Sequence, residues 1–357
     1  MKKIAFINIF RGVGGGGEVY LSRLINNLAN SIDAESFLIS PKCKVLDSVL
    51  VKKKCISGVS MNLTAYTIFE MLKSIIEINC ILKRERADIV IINGDRAILL
   101  SPFLFNIPKK IGIKHMLILS KLKFYLNFLP FSLLDRIVTI SNFHIKNYLS
   151  FGHEKFFVDK LSMIYNSVDV NHFDVKQTKS HYKIITFVEV ASLDKRKGQL
   201  DLLVAFERLC KKYENIHLNF IGIGKSEREY KDFVETRGLE NSVSFYGFQS
   251  DVKSFLSLEN SVFVLPSYDE GLPIVLLEAM SCGLPVISTS IAGIPEIIDQ
   301  KINGFLFIPG DIKMLEMHME YFIKNPDQIT KMGIKGRSKV VAVFNEEEWK
   351  KQWLALL

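Results

Sequence analysis

Two glutamates, Glu270 and Glu278, stand within the stretch SYDEGLPIVLLEAMSCGLPVIST. Val262 to Leu265 read as a buried strand that Pro266 ends. Glu270 and Gly271 fall on the following loop, Pro273 suits a first helical position, and Gly283 closes the helix ahead of a second strand at Pro285–Ser288. One carboxylate is therefore predicted at a helix mouth and the other about a turn and a half inside. Free amides at a helix start attract a phosphate or an electron-rich sugar oxygen. Carboxylates to either side accept hydrogen bonds from hydroxyls. The chemistry is recognition of an anion flanked by hydroxyls, as a nucleotide-sugar presents them.

A second candidate is the loop RGVGGGGEVY after the first strand. Gly12, Gly14 and Gly17 satisfy the spacing of a dinucleotide fingerprint. A nicotinamide cofactor would also want an acid at the end of the second strand, which reads Leu38-Ile39-Ser40-Pro41 instead. Gly15 and Gly16 fit better as glycines that let the backbone approach a phosphate or an acceptor, with a ligand-free tight turn as the alternative. Gly222-Ile223-Gly224-Lys225, after a later strand, reads equally as a cleft lining or a structural turn.

The elements that position these residues alternate strand and helix almost throughout, which predicts an α/β protein with parallel sheets wrapped in helices. Strands are expected at Lys3–Ile9, Ser36–Ser40, Asp88–Ile92, Lys110–Lys114, Arg136–Ile140 and Leu161–Tyr165, with a long helix near 63–86. A polar stretch, 170–182, is the candidate linker. A second series follows at Lys183–Val190, Ile216–Ile221, Ser242–Tyr246, Val262–Leu265, Pro285–Ser288 and Phe305–Ile308. At 357 residues two domains are expected, 1–172 and 173–339, with a helix at about 340–357 packing back on the first.

Composition narrows the class. Hydrophobic residues make up 48% and charged ones 24%, as in folded proteins. The net charge of +8 fits an anionic partner or a solvated basic surface. Basic residues are scattered without an aromatic-rich recognition motif, so nucleic acid is not the expected partner. Cys43, Cys55, Cys80, Cys210 and Cys282 show no CxxC pair or metal spacing and read as reduced thiols, Cys80 and Cys282 in the core. No window reaches the roughly eighteen apolar residues of a membrane span. Lys114–Arg136, apolar with Lys121 and Lys123, reads as a basic stretch lying on an anionic membrane or as a helix packed on the sheet.

With the segments GGGGEVYLSRL, DRIVTISNF, MIYNSVDVNHF, KGQLDLLVAFERL, VSFYGF, AGIPEII and NGFLF in this order, DEGLPIVLLEAMSCGLPVIST resembles the E-x7-E signature of the retaining, nucleotide-sugar-dependent glycosyltransferases of the GT-B class, family 4. The likeness is dense over 160–310 and looser before it. It implies two doubly wound Rossmann-like domains facing across a cleft, the first taking the acceptor and the second the nucleotide-sugar.

The resemblance also implies roles. Glu278 would hold the ribose hydroxyls, and Glu270 would accept from sugar hydroxyls near the reacting carbon. Amides of Gly271 and Leu272 would face the donor, with Pro273 contributing shape. Lys197 would neutralise the diphosphate, and His115 would contact the sugar. The family's second cation is missing, because Ala191-Ser192-Leu193 replaces Gly-Arg-Leu; Lys195 or Arg196 is the candidate substitute. Asn166 and Asp169 are expected to fix the turn into the linker. No metal ligand set and no cofactor beyond the donor substrate is expected. The implied activity is hexosyl or aminohexosyl transfer to a lipid-linked or oligosaccharide acceptor of a bacterial surface glycan, in the cytoplasm or on the inner membrane face. The alternative is a non-catalytic nucleotide-sugar-binding partner.

Overall fold

A computed structural model describes residues 2–9, 16–29, 34–56, 65–115, 128–151, 157–174 and 184–357. Gly12, Gly14 and Gly15, residues 116–127 of the basic apolar stretch and most of the expected linker lie outside these residues. The chain divides into two compact units, Met1–Asn166 with Trp349–Leu357, and Ser167–Glu348.

In the first unit β1 (Lys2–Ile7), β2 (Ala34–Ser40), β3 (Lys52–Cys55), β4 (Ile89–Asn93), β5 (Lys109–Lys114), β6 (Arg136–Thr139) and β7 (Leu161–Met163) form a parallel sheet in the order β3-β2-β1-β4-β5-β6-β7. The strand β3 has no counterpart in the sequence reading. Three of its four residues are lysine, so it lacks the apolar pattern by which buried parallel strands are recognised. Helices α1 (Gly16–Ala29), α2 (Ala65–Glu85) and α3 (Asn142–Leu149) belong to this unit. The expected core position of Cys80 is wrong: it sits on the outer face of α2 and is exposed.

The second unit has β8 (Ile185–Val190), β9 (Ile216–Ile221), β10 (Val243–Phe245), β11 (Ser261–Leu265), β12 (Val286–Thr289) and β13 (Gly304–Phe307), all parallel, in the order β10-β9-β8-β11-β12-β13. Around them lie α4 (Gln199–Cys210), α5 (Glu227–Thr236), α6 (Ile274–Ser281), α7 (Ile312–Lys324) and α8 (Asp327–Val343). The strand order reverses between β8 and β11, and ligands of open α/β sheets bind beyond the carboxyl ends of the strands at such a point. In the first unit the corresponding reversal lies between β1 and β4.

Two devices fix the ends of the second unit. Asp169 Oδ1 accepts from the amides of Asn171 and His172 at 3.0 and 2.9 Å, closing the turn after Asn166. Arg337 of α8 donates to the carbonyl oxygens of Phe173 and Ser281, and pairs with Asp174 at 2.8 Å. The last helix, α9 (Glu346–Leu356), begins in the second unit and ends in the first, where Trp349 and Trp353 are buried. The Trp353 indole N–H donates to the Tyr20 hydroxyl at 2.9 Å. Trp349 meets the Tyr20 ring edge-on at 5.5 Å.

Truncating Trp353 removes a fully buried aromatic and the partner of a buried phenol. Trp353→Ala is expected to cost about 3–5 kcal/mol, read as a lower urea midpoint by circular dichroism, while Leu354→Ala on the exposed side changes little.

Candidate functional site

The reversal between β8 and β11 holds a lysine and a glutamate brought from two loops. After β8, Asp194 caps a short 3-10 turn, Lys195–Lys197, by accepting from the Arg196 amide. Gly198 then takes φ +74, where a Cβ would collide with the Pro266 carbonyl oxygen at the end of β11. Only glycine lets the two loops approach so closely. The result is an ion pair, Lys197 Nζ to Glu270 Oε1, at 2.6 Å. Both side chains are mostly covered, 20% and 11% exposed.

Glu270 is held from behind. The Ser267 hydroxyl donates to the same Oε1 at 2.9 Å, and the Thr289 hydroxyl from β12 donates to the Ser267 carbonyl at 2.7 Å. The Gly293 amide donates to the Gly271 carbonyl at 2.9 Å, so the AGIPE segment braces the glutamate's loop. Leu272 is buried beside it.

Pro273 is not the first helical residue of α6 but its N-cap, at φ −68 and ψ 118. Helix geometry begins only at Ile274, because an extended ψ at the cap is what turns the chain into the helix. Glu278 lies one turn on, 9% exposed, between Leu276, Leu277, Ala279 and Met280, which are fully buried. A carboxylate among such neighbours is costly unless hydrogen-bonded. The helix closes as expected: Gly283 is left-handed at φ +79, and the Leu284 amide donates to Ala279 at 3.0 Å.

The two substitutes expected for the missing second cation are already occupied. Arg196 pairs with Asp194 at 3.1 Å and Asp269 at 3.4 Å, and Lys195 pairs with Glu229 at 3.2 Å. Gly222 and Gly224 have a structural task. A Cβ on either would strike the carbonyl oxygen of Ala191 or Leu193, where the two loops run backbone to backbone.

His115 sits in the first unit, after β5. Its Nε2 lies 2.8 Å from Asn93 Oδ1 at the end of β4. The Asn93 amide nitrogen donates to the Gly17 carbonyl at 3.3 Å, which fixes the amide's orientation. Nε2 must therefore carry the proton, leaving Nδ1 as an acceptor. Burial, with the neighbouring His144 and Lys114, pushes the imidazole down to about 4, so the ring is neutral at physiological pH. From below, His144 Nε2 reaches the His115 carbonyl at 3.3 Å. Gly16 opens α1, with open space where its Cβ would stand.

The sequence reading therefore named Lys197, Glu270, Gly271, Leu272, Pro273 and Glu278, which the structure gathers around one loop-and-helix junction of the second unit. His115 and Gly16 belong to the first unit. It missed Glu189, an acid inside the apolar strand β8, although an isolated carboxylate in ITFVEV was a visible anomaly.

Comparison with known proteins finds the following similarities. Residues 171–339 match the family model described as Glycosyl transferases group 1. An uncharacterized glycosyltransferase of Haemophilus influenzae is 29% identical over 375 residues, covering 98% of this chain and 99% of its own. The putative colanic acid biosynthesis glycosyltransferase WcaL of Escherichia coli is 29% identical over 208 residues, covering 56% of this chain and 51% of WcaL. The fold is that of Anabaena Alr3699/HepE in complex with UDP-glucose, with a TM-score of 0.80, 18% identity and all of both chains covered.

The approach of Gly198 to Pro266 can be tested directly. Gly198→Ala is expected to cost about 1–3 kcal/mol through overpacking and left-handed strain, seen as a lower Tm. Lys195→Ala, which breaks only an exposed pair, should stay within about 0.5 kcal/mol.

Proposed function

We propose that the chain, whose residues 171–339 match the family model of the group 1 glycosyl transferases, is a glycosyltransferase that moves a hexose or aminohexose from a nucleotide-diphosphate sugar to a growing lipid-linked bacterial surface glycan, with retention of anomeric configuration. The observation that carries this reading is the Lys197–Glu270 pair at the strand-order reversal, with Glu278 buried one helical turn away. The assignment of WcaL to colanic acid biosynthesis supports a surface glycan, and the UDP-glucose in HepE makes UDP-sugars the first donors to try.

The chemistry assigned to these residues is as follows. Lys197 meets the diphosphate, whose negative charge grows as the bond to the anomeric carbon breaks, and a fixed cation there lowers the barrier. Glu270 accepts from sugar hydroxyls and orients the ring; it does not attack. Glu278 accepts from the ribose hydroxyls. Amides of Gly271 and Leu272 face the donor. His115, an acceptor at Nδ1, takes a hydrogen bond from the sugar. The acceptor oxygen bonds to the anomeric carbon on the face the diphosphate leaves, and its proton passes to the departing phosphate oxygen. No metal enters this scheme.

Turnover with a panel of UDP-, GDP- and ADP-sugars is the test. Retained anomeric configuration, activity that survives EDTA, and a loss of about a hundredfold or more in Glu270→Gln are expected. An inverted product, or activity abolished by EDTA and restored by magnesium, would overturn the scheme. A second reading, donor binding without turnover, is favoured by Ser192 and by the carboxylate pairing of Lys195 and Arg196; binding with no product in the same panel would establish it.

We also place the protein on the inner membrane face, on the strength of α2. Phe69, Leu72 and Ile76 are exposed, Phe69 by 66%, and share one stripe with exposed Lys73, Cys80 and Lys83. Exposed Phe103 and Phe105 flank it, tied to α2 through Asn79 at 2.7 and 3.2 Å. Apolar rings among ammonium groups suit an anionic lipid surface. Among the described residues no helix is long and apolar enough to cross a membrane. The chain should cosediment with vesicles containing anionic lipid and release at about 0.5 M salt. Phe69→Asp with Ile76→Asp should abolish cosedimentation without lowering the Tm; persistence of binding would refute this placement.

A further inference from the structure

The strand β8 carries an acid to which the reaction above gives no task. Glu189 lies one residue from the carboxyl end of β8, in register with Phe220 of β9, and is 1% exposed. It shares a face of the strand with Phe187, which packs on Phe206 of α4. Gln199, the first residue of α4, is fully buried; it donates to the Ser192 carbonyl at 3.0 Å and accepts from the Tyr230 hydroxyl of α5 at 3.4 Å. Neither oxygen of Glu189 makes a hydrogen bond of ordinary geometry, although the Gln199 amide lies close enough to bias it. The charged groups acting on it are Lys197, from the 3-10 turn, and Glu270, from the loop after β11.

Burial pushes the Glu189 carboxyl well above the usual carboxylate range; Lys197 opposes the shift, Glu270 adds to it, and Gln199 opposes it. The charge count gives this meaning. Among these three side chains, Lys197, Glu270 and Glu189, the lysine alone is positive. With both acids ionised the trio would carry a net negative charge and repel a diphosphate. With Glu189 un-ionised the trio is neutral. Its carboxyl oxygen can then accept from an ammonium without cancelling that ammonium's charge.

We propose that Glu189 is a positioning residue for the donor: its carboxyl group, buried near the carboxyl end of β8 with neither oxygen hydrogen-bonded, backs the Lys197–Glu270 pair and leaves the lysine's charge to the diphosphate. This rests on the nucleotide-sugar reading above. An ionised Glu189 competes with the diphosphate for the same ammonium, so donor affinity falls as the pH rises through its titration. Stability follows the same sign. A proton held more tightly in the folded chain stabilises fully below the unfolded value near 4.5, and this stabilisation is lost as the pH climbs toward the folded one.

The experiment is donor affinity by calorimetry from about pH 6.5 to 9, using UDP-glucose, GDP-mannose and ADP-glucose, whose diphosphates do not themselves titrate there. The wild type should weaken about tenfold across the range. Glu189→Gln should bind as tightly as wild type at the acid end and stay within about twofold throughout, and its Tm should gain on wild type as the pH rises. Parallel affinity profiles in the two proteins, or a flat wild-type profile, would overturn the role of Glu189 alone. A wild type that binds none of the three donors would overturn the donor reading, and this inference with it. Should the glutamine variant not fold, Glu189→Met decides: a flat profile at lower affinity supports the proposal, and a wild-type slope refutes it.

Discussion

An ammonium and a carboxylate 2.6 Å apart, drawn from two loops of one sheet, set the terms for the second unit. Bringing Lys197 there requires a backbone contact that excludes any side chain at residue 198. Holding Glu270 there requires Ser267 below it and Thr289 from the next strand. The AGIPE turn braces the same loop from the far side. These constraints converge because an ion pair that is partly covered has lost water, and only fixed partners make up the loss. A loop free to wander would leave two charges poorly solvated and poorly paired.

The first unit solves a related problem without charge. Asn93 is oriented by the Gly17 carbonyl and so dictates which nitrogen of His115 bears the proton. Burial keeps the ring neutral. A neutral imidazole with an assigned tautomer offers one donor and one acceptor at fixed positions, whereas an imidazolium offers donors alone. Tyr20 packs edge-on against this ring at 5.3 Å and is itself clamped by the two tryptophans of the last helix. The tail thus supports the histidine through a single phenol.

What could be read in advance followed from strong local signals. The parallel strands with apolar runs fell within one or two residues of their observed ends, because a strand buried on both faces must be apolar throughout. Gly283 and the Glu270–Glu278 spacing carried their geometry in the residue types. Pro273 was displaced by one position, since proline's fixed φ suits a cap as well as a first turn, and only ψ separates them. Cys80 was misjudged because a thiol among isoleucines looks buried, whereas the helix's angular order turns it outward. Lys52–Cys55 had no signal, as its pairing with β2 is made by backbone alone. Glu189 was visible as a letter. Its proximity to Lys197 depends on contacts between separate loops, which no linear spacing encodes.

That lysine-rich strand has a consequence for how the protein behaves in solution. β3 ends the first sheet, so one row of its amides and carbonyls has no strand beyond it among the described residues. Lys52 and Lys53 are exposed along that rim, and Lys53 and Lys54 are paired to Asp47 and Glu85. A second molecule offering its own rim would have to strip hydration from several ammonium groups before a ladder could form. The least hydrophobic strand of the sheet therefore guards the chain against fibrous self-association, at a place where an apolar strand would have invited it.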